Sequence, residues 1–169
     1  MSELPLDRRI AEFLAAHHVV TLATCEGGAV HAASLMYAPD GFSLIWMSDP
    51  KSRHSQELER NPRVAATIAP DYTDFAEIRG LQIAGTAMRL ASAGDILHGT
   101  TLMLGRYGFL RTLATAPESL RKAFNRSGFY RLQPETITLI DNTVAFGHKE
   151  TLTIENLPSQ ISQRNRDSR

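Results

Sequence analysis

Apolar positions near the start of the chain recur at helical spacing. Leu6, Ile10, Phe13 and Leu14 share one face, with Asp7, Arg8, Arg9 and Glu12 elsewhere. That spacing predicts a short opening helix that caps a sheet. From Val19 to Thr24 the residues become β-branched or small, and Glu26-Gly27-Gly28 supplies a hairpin turn. A second strand over about Ala29 to Tyr37 meets a turn at Pro39-Asp40-Gly41, after which Phe42 to Met47 is almost wholly apolar. Burial on both faces is expected for that run, with a barrel interior on one side and a helix or partner subunit on the other.

Ser52 is placed to cap a short helix carrying Leu58, which Pro62 ends before a strand over Arg63 to Ala69. Ala76 to Leu90 reads as one long strand, with Gly80 and Gly85 as points of bulge or close approach. Ser92 with Asp95, and Thr115 with Glu118, have capping-box spacing. They predict helices reaching about Arg106 and Phe124, a helical insertion over about 92–125. Strands are expected again at Gly128 to Leu132, Thr136 to Ile140 and Thr151 to Ile154, followed by a polar tail over 155–169 expected to be mobile. Hairpins dominate and strands do not alternate regularly with helices. The pattern therefore predicts a mainly β (α+β) domain over 1–154, an antiparallel barrel with peripheral helices, in place of a doubly wound parallel sheet.

Charge narrows the partners. With 18 Lys plus Arg against 18 Asp plus Glu in 169 residues, the net basic footprint that nucleic acid or an anionic membrane surface favours is missing. No apolar signal core opens the chain, and no apolar run reaches the roughly 18 residues of a membrane span. A cytoplasmic protein is expected, and the single cysteine, Cys25, agrees with a reducing compartment.

The sharpest local chemistry is Ser48-Asp49-Pro50-Lys51-Ser52-Arg53-His54, where a strand ends and a helix begins. Free N–H groups at a helix start favour a phosphate, and Ser52, Arg53 and either His54 or Lys51 add donors. The plain alternative is an ordinary N-cap with solvated charges. His17 and His18 have no second ligand pair at a metal-binding spacing, so no metal site is expected. His31, His98 and His148 are isolated histidines that could ligate haem. Cys25 has no activating cation beside it, Trp46 on the apolar run reads as core or interface, and Arg164, Arg166 and Arg169 read as a solvated tail interrupted by Asp167. No triad, paired carboxylates or nucleophile elbow licenses a catalytic acid or base.

The order and spacing of several pieces resemble the pyridoxamine 5′-phosphate oxidase-like, FMN-binding split barrels over roughly Ile10 to Lys149. These pieces are the opening helix, His-Val-Val-Thr-Leu-Ala-Thr at 18–24, Ser-Arg-His at 52–54, Asn-Pro-Arg-Val at 61–64 and Leu-Gln-Ile-Ala-Gly-Thr-Ala at 81–87. The string Asp141, Asn142, Thr143, Phe146, Gly147 is similar to one in a small, poorly characterised bacterial branch of that family. The resemblance implies a homodimer with FMN at the subunit interface and hydride transfer to or from an unidentified small-molecule substrate. By position, Ser48, Ser52 and Arg53 match the family's phosphate ligands, and His54 stands where a second cation, usually lysine, follows. Gln82 falls near a glutamine that contacts the flavin ring, while Ser34 and Leu35 lie on the strand alongside it. With Met47 and Lys51, these residues are the expected cofactor set. Two departures argue against oxidation of vitamin B6 itself. Phe146-Gly147-His148 replaces an Arg-x-His pair, and Met36 or Tyr37 stands where a lysine is usual. Some barrels of this type bind or degrade haem, so a flavin or haem carrier without catalysis is the rival expectation.

Overall fold

The first helix forms where the apolar stripe predicts it. In a computed structural model that describes residues 4–154, α1 (Leu6–Ala16) buries Ile10 and Leu14. Its last turn has no basic residue of its own. Arg106, from the distant insertion, supplies one by donating to the carbonyls of Ala15, at 3.1 Å, and His17. A cation there satisfies orphan carbonyls at the negative end of the helix dipole. The tail expected over 155–169 lies outside the described residues.

The sheet comprises β1 (Val19–Glu26), β2 (Ala29–Asp40), β3 (Ser43–Ser48), β4 (Arg63–Ile68), β5 (Arg79–Arg89), β6 (Gly128–Asp141) and β7 (Lys149–Thr153). Every pairing is antiparallel, in the order β3-β2-β1-β4-β5-β6-β7, and a further β3–β6 ladder closes the ring. β3 and β7 share one edge of β6: β3 pairs with Gly128 to Leu132 and β7 with Thr136 to Ile140. This is an antiparallel split barrel with peripheral helices, as the hairpin pattern predicts.

Several boundaries differ from expectation: β5 begins at Arg79 and not at Ala76, because Phe75–Glu77 forms a 3-10 turn in which the Asp74 carboxylate accepts from Ala76 N–H at 2.9 Å, and the last strand begins at Lys149 and not at Thr151. The strands expected at 128–132 and 136–140 are the two halves of β6, with Pro134 between them opposite Gly85. The β5–β6 register shifts between Ala84 and Gly85, and there a proline without an N–H is tolerated. A Cβ on Gly85 would lie 2.2 Å from the Gln133 carbonyl oxygen, so only glycine fits the approach. The second hairpin turns at Gly41-Phe42 and not at Pro39-Asp40-Gly41, because β2 continues to an Asp40–Ser43 pair. Gly41, at φ 61°, takes the first turn position that demands positive φ. Thr115 does not cap a helix; its hydroxyl donates to the Thr112 carbonyl and closes a 3-10 turn over Gly108–Thr115. The following helix, α4 (Glu118–Arg126), is entered through Pro117, whose fixed φ suits that position.

The remaining helices are α2 (Arg53–Arg60) and α3 (Ala93–Arg106), the latter capped by the Ser92 hydroxyl accepting from Asp95 N–H at 3.0 Å. β3 is buried on both faces. Leu44 and Trp46 enter the barrel core with Leu22, Ile83 and Ile137, while Ile45 packs with Phe129 and Met103 beneath α3. A helix therefore covers the outer face of β3. Among the described residues no helix is long and apolar enough to cross a membrane.

Candidate functional site

β3 ends at Ser48 and α2 begins at Arg53, and the turn between them gathers hydroxyls around one imidazole. Asp49 shapes it, with its carbonyl accepting from Ser52 N–H at 2.9 Å and its carboxylate from Lys51 N–H at 2.8 Å. Ser48 Oγ lies 2.6 Å and Ser52 Oγ 3.1 Å from His54 Nε2, with 3.3 Å between the hydroxyls. Ser52 occupies the N-cap position of α2, but the expected side-chain cap is absent. Its hydroxyl donates to Ser55 Oγ at 2.8 Å, because the neighbouring hydroxyl and imidazole compete for it.

Arg53 points the other way along the helix. Its Nε donates to Glu57 at 2.7 Å, one turn on, while the side chain stays 55% exposed. Glu57 is only 4% exposed and also accepts from the Thr24 hydroxyl of β1. The hydrogen bonds from Thr24 and Arg53 hold its carboxyl below the usual carboxylate range against the opposing effect of burial. A buried carboxylate thus fixes the direction of an exposed guanidinium. Burial, reinforced by nearby His31 and opposed by Glu57, pushes the His54 imidazole below its ordinary pKa.

That shift has a pH signature. The unfolded chain holds a proton that folded His54 releases, so stability rises with pH between the lowered native value and the ordinary 6.5. It is fully present above 6.5 and falls as pH drops through this window. Urea midpoints at about pH 7.5 and 5.5 should therefore fall further for the parent protein than for His54→Gln. An equal fall in both would remove His54 from the account.

The expected cofactor residues occupy three neighbourhoods. Ser48, Ser52 and His54 converge, with Arg53 beside them; Lys51 shares the turn, but no contact among the described residues joins its side chain to the cluster. Ser34, Leu35 and Met47 line an apolar pocket of about 420 Å³ between β2, β3 and the helical insertion. Gln82 sits on the outer sheet face between Thr67 and Thr138, in a separate depression of about 470 Å³. Of the two residues at the usual lysine position, Met36 lines the apolar pocket, whereas Tyr37 is buried and donates to the Leu14 carbonyl. The candidate haem histidines have different surroundings. His31 neighbours His54, His98 lies 3.1 Å from Asp40, and His148 lies 2.9 Å from Glu150. Sequence reasoning missed Glu57 and Thr24; the four-residue spacing from Arg53 to Glu57 on a helix was the available signal.

Comparison with known proteins fits this geometry. The family model described as pyridoxamine 5′-phosphate oxidase matches residues 6–141. A UPF0306 protein of Photorhabdus laumondii subsp. laumondii is 30% identical over 142 residues, covering 83% of this chain and 90% of its own. Among solved structures, a haem-binding protein from Mycobacterium smegmatis superposes with a TM-score of 0.70 at 18% identity, covering 90% of this chain and 60% of that one. An FAD-binding protein from Mesorhizobium loti gives a TM-score of 0.63 at 20% identity, with coverages of 79% and 92%. At those identities the structural likeness speaks to the fold, while the family match spans most of the chain. The closed β3–β6 ring and the match over 6–141 lead to one assignment: the chain belongs to the pyridoxamine 5′-phosphate oxidase-like split-barrel family.

Proposed function

We propose that the chain binds FMN and acts as a flavin-dependent oxidoreductase on a small molecule. The observation that carries this reading is the convergence of Ser48, Ser52 and His54 at the start of α2, beside an Arg53 fixed by Glu57. A phosphate ester supplies the charge and acceptor oxygens that such a donor set needs. The serine hydroxyls can rotate to donate, Arg53 brings the cation, and the α2 N-terminus lacks a side-chain cap. Met47, next to Ser48 on β3, faces the other side of the strand and lines the apolar pocket, so consecutive residues carry the hydroxyl cluster and that pocket on opposite faces. The bound flavin would supply two-electron exchange with the substrate. The chain's part is to grip, orient and dehydrate it; none of its residues is assigned as acid or base.

The Mycobacterium smegmatis relative makes haem the competing ligand. In His98 and His148 it is Nε2 that meets a carboxylate, so each ring has only Nδ1 to offer an iron. The visible spectrum of purified protein, titrated separately with FMN and haem, decides between them. Bound-flavin bands near about 370 and 450 nm are expected. A Soret band with selective haem uptake would replace the flavin reading.

A homodimer completes the proposal. Thr21, Thr67 and Gln82 run in register across β1, β4 and β5, as do Ala23, Ala65 and Ala84. A solvent-facing antiparallel sheet usually carries polar and charged residues, and these two rows contain no charge. Small, uncharged side chains suit a self-complementary face, and the dimer would bring Gln82 of one protomer toward the cofactor of the other. Ala65→Arg is expected to sediment as a monomer with weakened FMN binding. A dimer unaffected by this substitution would place the interface elsewhere.

A further inference from the structure

We infer that the pocket between β3 and the helical insertion binds a neutral, largely apolar ring compound; naming that compound the substrate rests on the flavin reading, whereas the binding site does not. The volume, about 420 Å³, lies within the usual range for small-molecule sites. Although 21% of the chain is charged, no charged side chain lines this pocket. An anionic or cationic ligand would enter without a counter-charge, a heavy desolvation penalty.

The walls specify more. Tyr107 and Phe109 stand with ring centroids 5.9 Å apart, and Phe124 adds a third ring, a surface suited to a flat aromatic or quinonoid body. Met47 and Met103 can adapt to an irregular outline. Polar groups are few and mostly engaged: Tyr107 donates to the Tyr37 carbonyl and Ser127 to the Ala123 carbonyl. The Ser34 hydroxyl makes no hydrogen bond among the described residues, which leaves it for one carbonyl or hydroxyl on the ligand. At the mouth, Phe109 and Leu120 are 55% and 51% exposed, apolar surface that a bound ring would cover.

Two fluorescent probes with the same ring frame test this: neutral N-phenylnaphthylamine and its sulfonate, anilinonaphthalene sulfonate. The neutral probe is expected to bind at least about tenfold more tightly, since only the sulfonate must bury a charge. Ala123→Trp, which fills the pocket, should weaken the neutral probe by at least about tenfold. Leu120→Lys, at an exposed position that tolerates charge, should shift the preference toward the sulfonate. Equal affinity for the two probes, or indifference to both substitutions, would overturn the inference. With FMN saturating, the neutral probe should still bind. Competitive displacement would show that the flavin ring fills the pocket, and would sink the inference while supporting the flavin reading. Failure of FMN to bind, with the probe pattern intact, would sink the flavin reading and uphold the site.

Discussion

Replacing Gly85 with alanine is expected to remove about 4 kcal/mol or more of folding stability, in the exceptional range for a single substitution. The added Cβ would lie 2.2 Å from the Gln133 carbonyl oxygen and 2.9 Å from the Pro134 Cα. Both are backbone atoms of β6, so no side-chain rotation relieves the clash, and moving β6 disrupts the ladder that joins it to β5 and β3. Gly80→Ala makes a graded control. Its nearest contact is the Ile68 carbonyl oxygen at 3.1 Å, and a cost of about 1–2 kcal/mol is expected. Urea unfolding followed by the fluorescence of Trp46, the one tryptophan and 1% exposed inside the barrel, reads both. If Gly85→Ala unfolded at the parent midpoint, the close approach of β5 to β6 would be wrong.

Arg53→Ala should weaken FMN binding by about ten- to 150-fold, the equivalent of about 1.5–3 kcal/mol for a charge-assisted contact. Two causes contribute: the phosphate loses its cation, and Glu57 stays buried with only Thr24 to hold it. Riboflavin, which lacks the phosphate, separates them. Its affinity should be nearly unchanged in Arg53→Ala if the guanidinium meets the phosphate, and should fall in parallel if the loss comes from disturbed packing around Glu57. Unchanged FMN affinity would remove Arg53, and with it the phosphate site, from the proposal.

The strand pattern was legible because each hairpin joins neighbours in sequence, and the apolar run at β3 announced its two-sided burial. The continuity of β6 was not legible. Pro134 reads as a strand break until Gly85, far away in sequence, is known to lie opposite it. Thr115 misled for a local reason, since Pro117 offered a competing helix entry and the hydroxyl found a carbonyl three residues back. In the site, Ser48, Ser52, Arg53 and His54 were visible as one short string. Glu57 was not, because a glutamate amid Glu and Arg on a short polar helix reads as solvated. Its burial is a product of α2 docking against β1, where Thr24 waits. Gln82 and the serine cluster show the same limit from the other side: sequence order groups them in one expected cofactor set, while the folded chain places them on different surfaces.

The way the helical insertion is attached bears on how this protein can evolve. The segment leaves the barrel after Arg89 and returns at Gly128, yet Arg89 already faces Tyr130 in the β5–β6 ladder and Leu90 N–H donates to the Phe129 carbonyl at 2.8 Å. Its two ends are thus held by the barrel itself, and doubling the length of such a loop adds only about 0.6 kcal/mol of closure entropy. Drift, duplication or exchange of the intervening stretch can rewrite one wall of the apolar pocket while β3 and α2 keep the serine–histidine turn intact. One inherited barrel can in this way yield descendants that share the same serine–histidine turn and differ in the shape of the pocket beside it.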